Sequence, residues 1–582
     1  MPKIITGNSI EAIKAQARAH HYRLIGIEFG IAPNVTRISA IIQLGSGSQT
    51  SLNDVPHDII IDRCFIHGNP TADVRRGIAL NSARTSIIDS HISDCHEVGA
   101  DSQAICGWNG PGPFKIVNNY LEGAAENVMF GGGDPTIPGL VPSDIEFRRN
   151  HLFKPLSWRV GSPQYAGKHW TIKNHFEIKN ARRLLIDGNL FENNWKDAQT
   201  GYSVVWKSDN SSGSATWAVA EDITFINNIV RHTAAGISIV GKDNNYESDQ
   251  TKRILIQNNL FYEVNGPAWG GDGTFLKLTE TADLKINHNT VEQTGKIVLA
   301  YGAANTGFVF ENNIFPHNRY GVYGNSEGIG NTALNIYFPG YTFRRNVLAG
   351  GQASRYPADN FFPATLDDVG FVNRAGDNYR LLVTSPFKNA GTDGEDIGAD
   401  IDAIDAAHSG GQSSNQNPVV SITANPTTGS SPLLVSFSSQ ASDPDGLIAS
   451  YIWDFGDGNS SPFPSPSHSY QSSGSFTARL TVTDNDGGSS SASVVITVSG
   501  TPPVGSDEVV LYASQAQVRA GGWRVVSDTT AAGGARIHHP NAGAGKLSKA
   551  LANPTHYFEM TFNAEAGRAY RLWIRGKADN NS

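Results

Sequence analysis

"HFEIKNARRLLIDGNLFENN", residues 175–194, holds two signals at once. One is the phrase apolar-x-x-Asn-x-Phe, closing on Asn189 and Phe191. The other is Glu177-Ile178-Lys179, a carboxylate and an amine two residues apart on a stretch with strand character. The phrase recurs along the chain, placing Cys64, His91, Asn119, Asn150, Asn189, Asn228, Asn259, Asn289, Asn313 and Asn346 in one column. The intervals vary from 24 (Asn289 to Asn313) to 39 (Asn150 to Asn189) residues, and the flanks are β-branched and alternating. A helical repeat of fixed length fits this poorly; strands stacked as coils of a solenoid fit it well. Asn side chains one strand spacing apart, about 4.8 Å, can hydrogen-bond up the stack, and Asn tolerates the left-handed backbone of corners.

The 582 residues exceed one ordinary core, so several domains are expected. Apolar residues make up 39% and charged residues 17%, with no apolar run long enough for a membrane span. The 61 glycines and 3 methionines favour short strands and turns over helix bundles. A net charge of −9 without charged blocks argues against a nucleic-acid partner. Cys64, Cys95 and Cys106 are too few for a disulfide framework. The opening "MPKIITGNSIEAIKAQ" has no basic-then-apolar leader.

Residues 20–405 resemble right-handed parallel β-helix proteins of the pectate-lyase-like class, through "HHYRLIGIEF", "NGPGPFKIVNNYLEGAAENVMFGGGDP" and "YPADNFFPATLDDVGF". "DAAHSGGQSSNQNP" then reads as a linker. The segment beyond it resembles a PKD domain, through Asp443-Pro-Asp-Gly446, Tyr451, the Trp453–Gly458 run WDFGDG, His468, Tyr470 and Thr483-Asp484. Trp453 is expected between the sheets of an Ig-like sandwich. Residues 506–582 resemble the first part of a carbohydrate-binding β-sandwich. The expected fold is therefore all-β: a right-handed parallel β-helix over 1–404, a linker over 405–417, a PKD β-sandwich over 418–499, a second linker over 500–506 and a partial β-sandwich over 507–582. Modules of this kind imply a secreted or cell-surface protein whose leader is not visible.

The longest intervals flank Asn189, so inserted loops crowd the middle coils. Six of ten Trp lie between 158 and 269, among them Trp195 and Trp206, as candidate walls for sugar rings. Lys179, Lys207, Lys242 and Lys277 each close an apolar strand and read as one cationic column that an anionic polymer would neutralise. Chondroitinase-B-like and alginate-lyase β-helices carry a similar Glu, Lys and downstream Asn-x-Phe arrangement. The resemblance implies Lys179 as base and Glu177 as a Ca²⁺ ligand; Asp134, one of the other acids nearby, is a further candidate metal ligand. Those lyases place an Arg-His acid on the next coil; this chain has Val205-Trp206-Lys207, leaving Lys207 or Arg183 to substitute. Asp101 and Glu126 supply further acids, and Lys242 with the Trp residues would hold substrate.

The sequence thus predicts a protein acting on an acidic polysaccharide or cell-surface glycan, by Ca²⁺-assisted β-elimination. Two alternatives stand beside it: a non-catalytic glycan-binding, adhesive or surface-structural β-helix, and a glycoside hydrolase with paired carboxylates.

Overall fold

The computed structural model describes residues 1–409, 417–443, 448–484, 488–500, 510–531, 533–540, 553–562 and positions 549, 551 and 571. The chain divides into two compact units, Met1–Ser414 and Asn415–Ser582.

The first unit is a parallel β-helix whose coils each give one strand to three long sheets. Sheet one has 12 strands, from Lys3–Thr6 through Leu190–Asn194 to Val347–Ala349. Sheet two has 12, from Ile13–Ala15 through Glu126–Phe130, Asn174–Ile178 and Tyr202–Lys207 to Gly328–Ile329. Sheet three has 11, from His20–Ile25 through Ala181–Asp187 to Thr342–Arg344. Alternate residues point inward and fill one continuous core, including Phe130, Phe176, Ile178, Val204, Trp206 and Phe225.

The Asn column forms a ladder at the corner entering sheet one. Asn259 Nδ2 donates to Phe225 O (2.9 Å) and Asn289 Oδ1 (2.9 Å), while Asn259 Oδ1 accepts from Asn228 N (2.9 Å). The pattern repeats from Asn119 to Asn346, and Asn360 adds a further rung by accepting from Asn346 N (2.9 Å). At the other end the column holds Ser90, not His91: Ser90 N donates to Asn119 Oδ1 (2.9 Å), and Ser90 Oγ accepts from Cys64 N (3.0 Å). His91 follows the corner and points outward, exposed. The left-handed residue is also not the ladder Asn but the one before it, as at Asn118, Gly188 (φ 61°), Asn227 and Asn258.

The end of the core is covered by helix Asn331–Tyr337, which buries Ala333 and Leu334. Residues 369–404 then lie on the outer face of sheet one, where Val369, Phe371, Phe387 and Ile404 pack on Leu260, Ile314 and Val347. Residues 405–409, expected as linker, instead continue the helix Ile401–Ser409, because Ile401 and Ile404 bury on that face.

In the second unit a three-stranded and a five-stranded sheet enclose Trp453, Phe437, Phe455, Leu480 and Val482, with Trp453 fully buried as expected. Asp445, read from sequence as part of the PKD pattern, lies outside the described residues, as does most of the strand-like segment 570–576. Two strand pairs, Val518–Ala520 with Tyr557–Glu559 and Arg524–Ser527 with Ala535–His538, are described beyond the PKD segment. Among the described residues no helix is long and apolar enough to cross a membrane.

Candidate functional site: an acid-and-lysine groove on sheet two

The outer face of sheet two lies between two sets of loops. One set precedes its strands and includes the long segment 155–172, whose Trp158 and Trp170 pack with Trp195. The other set follows the strands and includes 131–140 and 208–218, clasped by Asp134. Its Oδ2 accepts from Ser212 N (3.0 Å), Ser214 N (2.9 Å) and Ser214 Oγ (2.9 Å).

Register assigns the floor. Gln103, Glu126 and Asn174 are neighbours on consecutive coils. Three residues along, Met129, Glu177, Val205, Ser238 and Lys277 form a second column. Ile178 pairs with Trp206, so the next residues, Lys179 and Lys207, share a third. Lys179 closes its strand against Gly131, where a Cβ would stand 2.6 Å from that of Lys179; the bend "FGGGD" needs glycine there.

Glu126 is fully buried, with Oε2 accepting from Gln103 Nε2 at 2.7 Å. Its Oε1 has no hydrogen bond, and the nearest cation, Lys173 Nζ, stands 3.6 Å away. Lys173 also pairs with Asp101. Burial, then the nearby carboxylates of Glu177 and Asp101, push the Glu126 carboxyl up to about 8. Glu177 accepts from Asn174 Nδ2 at 2.9 Å and lies 3.5 Å from Lys179 Nζ. Asp209 bridges Lys179 (3.8 Å) and Lys207 (3.1 Å). Burial and a hydrogen bond with Asp243 raise the Asp209 carboxyl; burial opposes, but that same bond brings Asp243 down to about 2.

These positions revise the sequence reading at several residues. Only Lys179 and Lys207 share a column, and the anion between them is Asp209. Lys277 falls in the Glu177 column, three coils further on, and Lys242 lies in a loop 3.8 Å from Glu280. Trp206 is fully buried core and Trp195 is packed among loop tryptophans, so neither ring faces the groove. Arg183 sits on sheet three, left-handed at φ 54°, and staples two coils through Asp144 (2.6 Å).

Lys179 is held charged by its neighbours. Burial alone would lower it, but Glu177 and Asp209 outweigh burial and hold the ammonium well above the ordinary lysine range. Among the described residues no three His, Cys, Asp or Glu side chains stand together as a cation site. Glu177 is taken by Asn174 and Lys179, and Asp134 by the 212–214 loop. Sequence reasoning missed Gln103, Lys173, Asn174, Asp209 and Asp243. Counting one coil from Glu126 reaches Gln103 and Asn174, but only once the register is known.

Two clefts open on sheet one: about 540 Å³ beside Phe65, His91 and Tyr120, and about 350 Å³ between Glu122, Lys168 and Trp170. The second takes Trp158 and Trp170 from the 155–172 loop, and neither includes a residue of the sheet-two floor.

Residues 415–498 match the family model of the PKD domain. They are similar to the PKD1 domain of Vibrio anguillarum Epp, 36% identical over 15% of this chain and 98% of that one (TM-score 0.13). The PKD1 domain of the Vibrio cholerae metalloprotease PrtV is 37% identical over 14% of this chain and 98% of that one (TM-score 0.13). This segment belongs to the PKD-domain family. A tailspike protein mutant of E. coli bacteriophage HK620, solved in complex with a hexasaccharide, is 12% identical over 85% of each chain, with a TM-score of 0.37. Among curated proteins no match to the chain is found.

Proposed function

We propose that the β-helix is a polysaccharide-cleaving enzyme of an extracellular modular protein, working by carboxyl-based glycoside hydrolysis in the sheet-two groove. The observation that carries this reading is Glu126: a fully buried carboxyl, raised to about 8, one coil from Glu177 and beside Asp101. Glycoside hydrolysis needs one carboxyl protonated and another able to take a proton, set apart by their environments. Glu126 supplies the first: as the glycosidic C–O bond breaks, its proton passes to the leaving oxygen. Glu177 faces the developing positive charge and takes the proton of the water that adds to the anomeric carbon. Lys173 and Asp101 cover Glu126, so substrate must displace their pair to reach it. The PKD domain supports an extracellular setting.

The raised Lys179 ammonium, held by Glu177 and Asp209, favours a hydrolytic reading over Lys179 as a base. The test is reducing-end release from a panel of acidic and neutral polysaccharides, with ultraviolet absorbance followed in parallel. New reducing ends without new double bonds, reduced at least about 10³-fold in Glu126→Gln, are expected. Absorbance that rises and is lost in Lys179→Ala would restore the elimination reading. No product of either kind would leave a binding protein.

A further inference from the structure

The floor of the groove changes character along the solenoid. Its first coils carry Glu126, Glu177 and Asp101. Counting up the register, the same columns end on bases and aromatic rings. Leu276 pairs with Val298 and Val298 with Val322, which places Lys296 and Tyr320 in the column that began with Gln103, Glu126 and Asn174. The Glu177 column continues through Lys277 and Leu299 to Tyr323. Tyr301, following Ala300, continues the Lys179–Lys207 column.

These side chains touch one another. Lys277 Nζ lies 4.9 Å from the Tyr301 ring centre, Lys296 Nζ 5.6 Å from Tyr320, and the Arg319 guanidinium 5.1 Å from Tyr320. Tyr320 and Tyr323 are 5.2 Å apart and tilted. The acidic side chain paired here is Asp272, 3.6 Å from Lys296. Among the described residues Lys277 and Arg319 are within ion-pair distance of no carboxylate, and their described neighbours are rings. A half-buried ammonium set on a ring, with no carboxylate beside it, is open to an anion brought by a ligand.

We infer that this end of the groove is a subsite for anionic pyranose residues, with Lys277, Lys296 and Arg319 holding the acidic groups and Tyr301, Tyr320 and Tyr323 bracing the rings. The inference rests on the groove being a polysaccharide site, and it names the substrate class. Three coils separate Glu177 from Lys277, about 14 Å at strand spacing. A sugar chain lying along the solenoid axis has a repeat close to that spacing. The subsite therefore holds residues several units from the bond at Glu126 and sets a charge preference. Acidic groups on the chain are met here by Lys277, Lys296 and Arg319.

The test is calorimetric binding by the full chain, in the Glu126→Gln background so that no ligand is consumed. The probes are an oligogalacturonate hexamer, a sulfated oligosaccharide of the same length and a neutral xylo-oligomer. At least one anionic probe is expected to bind, to weaken about tenfold in Lys277→Gln and in Tyr320→Ala, and to weaken with added salt. Lys285→Gln, altering a lysine on sheet three that lies 3.5 Å from Glu311, should leave binding unchanged and controls for general charge. Whichever anionic probe responds identifies carboxylate or sulfate as the recognised group. Equal binding of the neutral probe, binding indifferent to Lys277 and Tyr320, or no binding of either anionic probe overturns the inference. Lys277-dependent binding by a wild-type chain that releases no products would retain the subsite while removing the hydrolytic reading.

Discussion

At the scale of single residues, burial decides what a charge can do. Glu126 is the clearest case, because an acid raised from an ordinary 4.5 to about 8 binds its proton more tightly folded than unfolded. Between those values the native state holds one proton that the unfolded chain has released, so stability must fall as pH rises through that window. Glu126→Gln is expected to flatten this slope, measured as urea midpoint against pH from 5 to 9; an unchanged slope would mean that the carboxyl is not held protonated. Hydrolysis should follow the same group, with activity declining above about pH 8 as the acid ionises. Lys154 shows the opposite use of burial. Its side chain is fully inside the solenoid, where Nζ donates to Gly123 O (2.6 Å), Ala124 O (2.9 Å) and Asn127 Oδ1 (3.0 Å), with Ala125 O at 3.3 Å. It fastens a corner rather than serving chemistry. Lys154→Met would strand these acceptors, at a cost of about 3 kcal/mol or more in denaturant unfolding, while leaving the outward groove in place. A loss under about 0.5 kcal/mol would show that the corner does not depend on the ammonium.

At the scale of elements, the ladder explains why the coils were readable. Each corner leaves backbone groups that an Asn at one position satisfies on its own coil and the preceding one, so the same residue recurs wherever the chain turns. Asn259→Ala removes donations to Phe225 O, Gln257 O and Asn289 Oδ1 and the acceptance from Asn228 N, and about 2–4 kcal/mol should be lost by chemical denaturation. A similar change at Ser90, where a hydroxyl already serves with fewer bonds, should cost less. The same physics shows where the sequence fell silent. "DSHI" offers two polar neighbours, Ser90 and His91, and only the hydrogen bonds choose between them. In "VVWKSD" either parity buries apolar groups; the pairing of Trp206 with Ile178 decides that the indole goes inside and Lys207 outside. The lysine column failed for the same reason, since the distance from a corner to a lysine differs by coil and a shift of two residues changes column without changing face. Glu126 and Glu177 were legible as acids, but their meeting was not, because it depends on neighbouring strands offset by three residues along the sheet.

At the scale of the whole molecule, two units carry separate cores. The β-helix core runs through residues of all three sheets, and the PKD core is built around Trp453, with no residue in common. Trp453 contacts Phe437 (ring centres 4.9 Å) and Phe455 (6.3 Å) and is fully buried, so truncation leaves a cavity that a sandwich of this size cannot refill. Trp453→Ala should remove about 3–5 kcal/mol, a large share of what a domain of this length possesses. Scanning calorimetry of the full chain is expected to show separate transitions for the two units in the wild type. In the variant one transition should be lost or strongly lowered, with the other unmoved and polysaccharide cleavage retained at the wild-type rate. A variant in which both transitions fall together would mean that the units stabilise one another, and loss of cleavage alongside it would place part of the working site in the PKD unit.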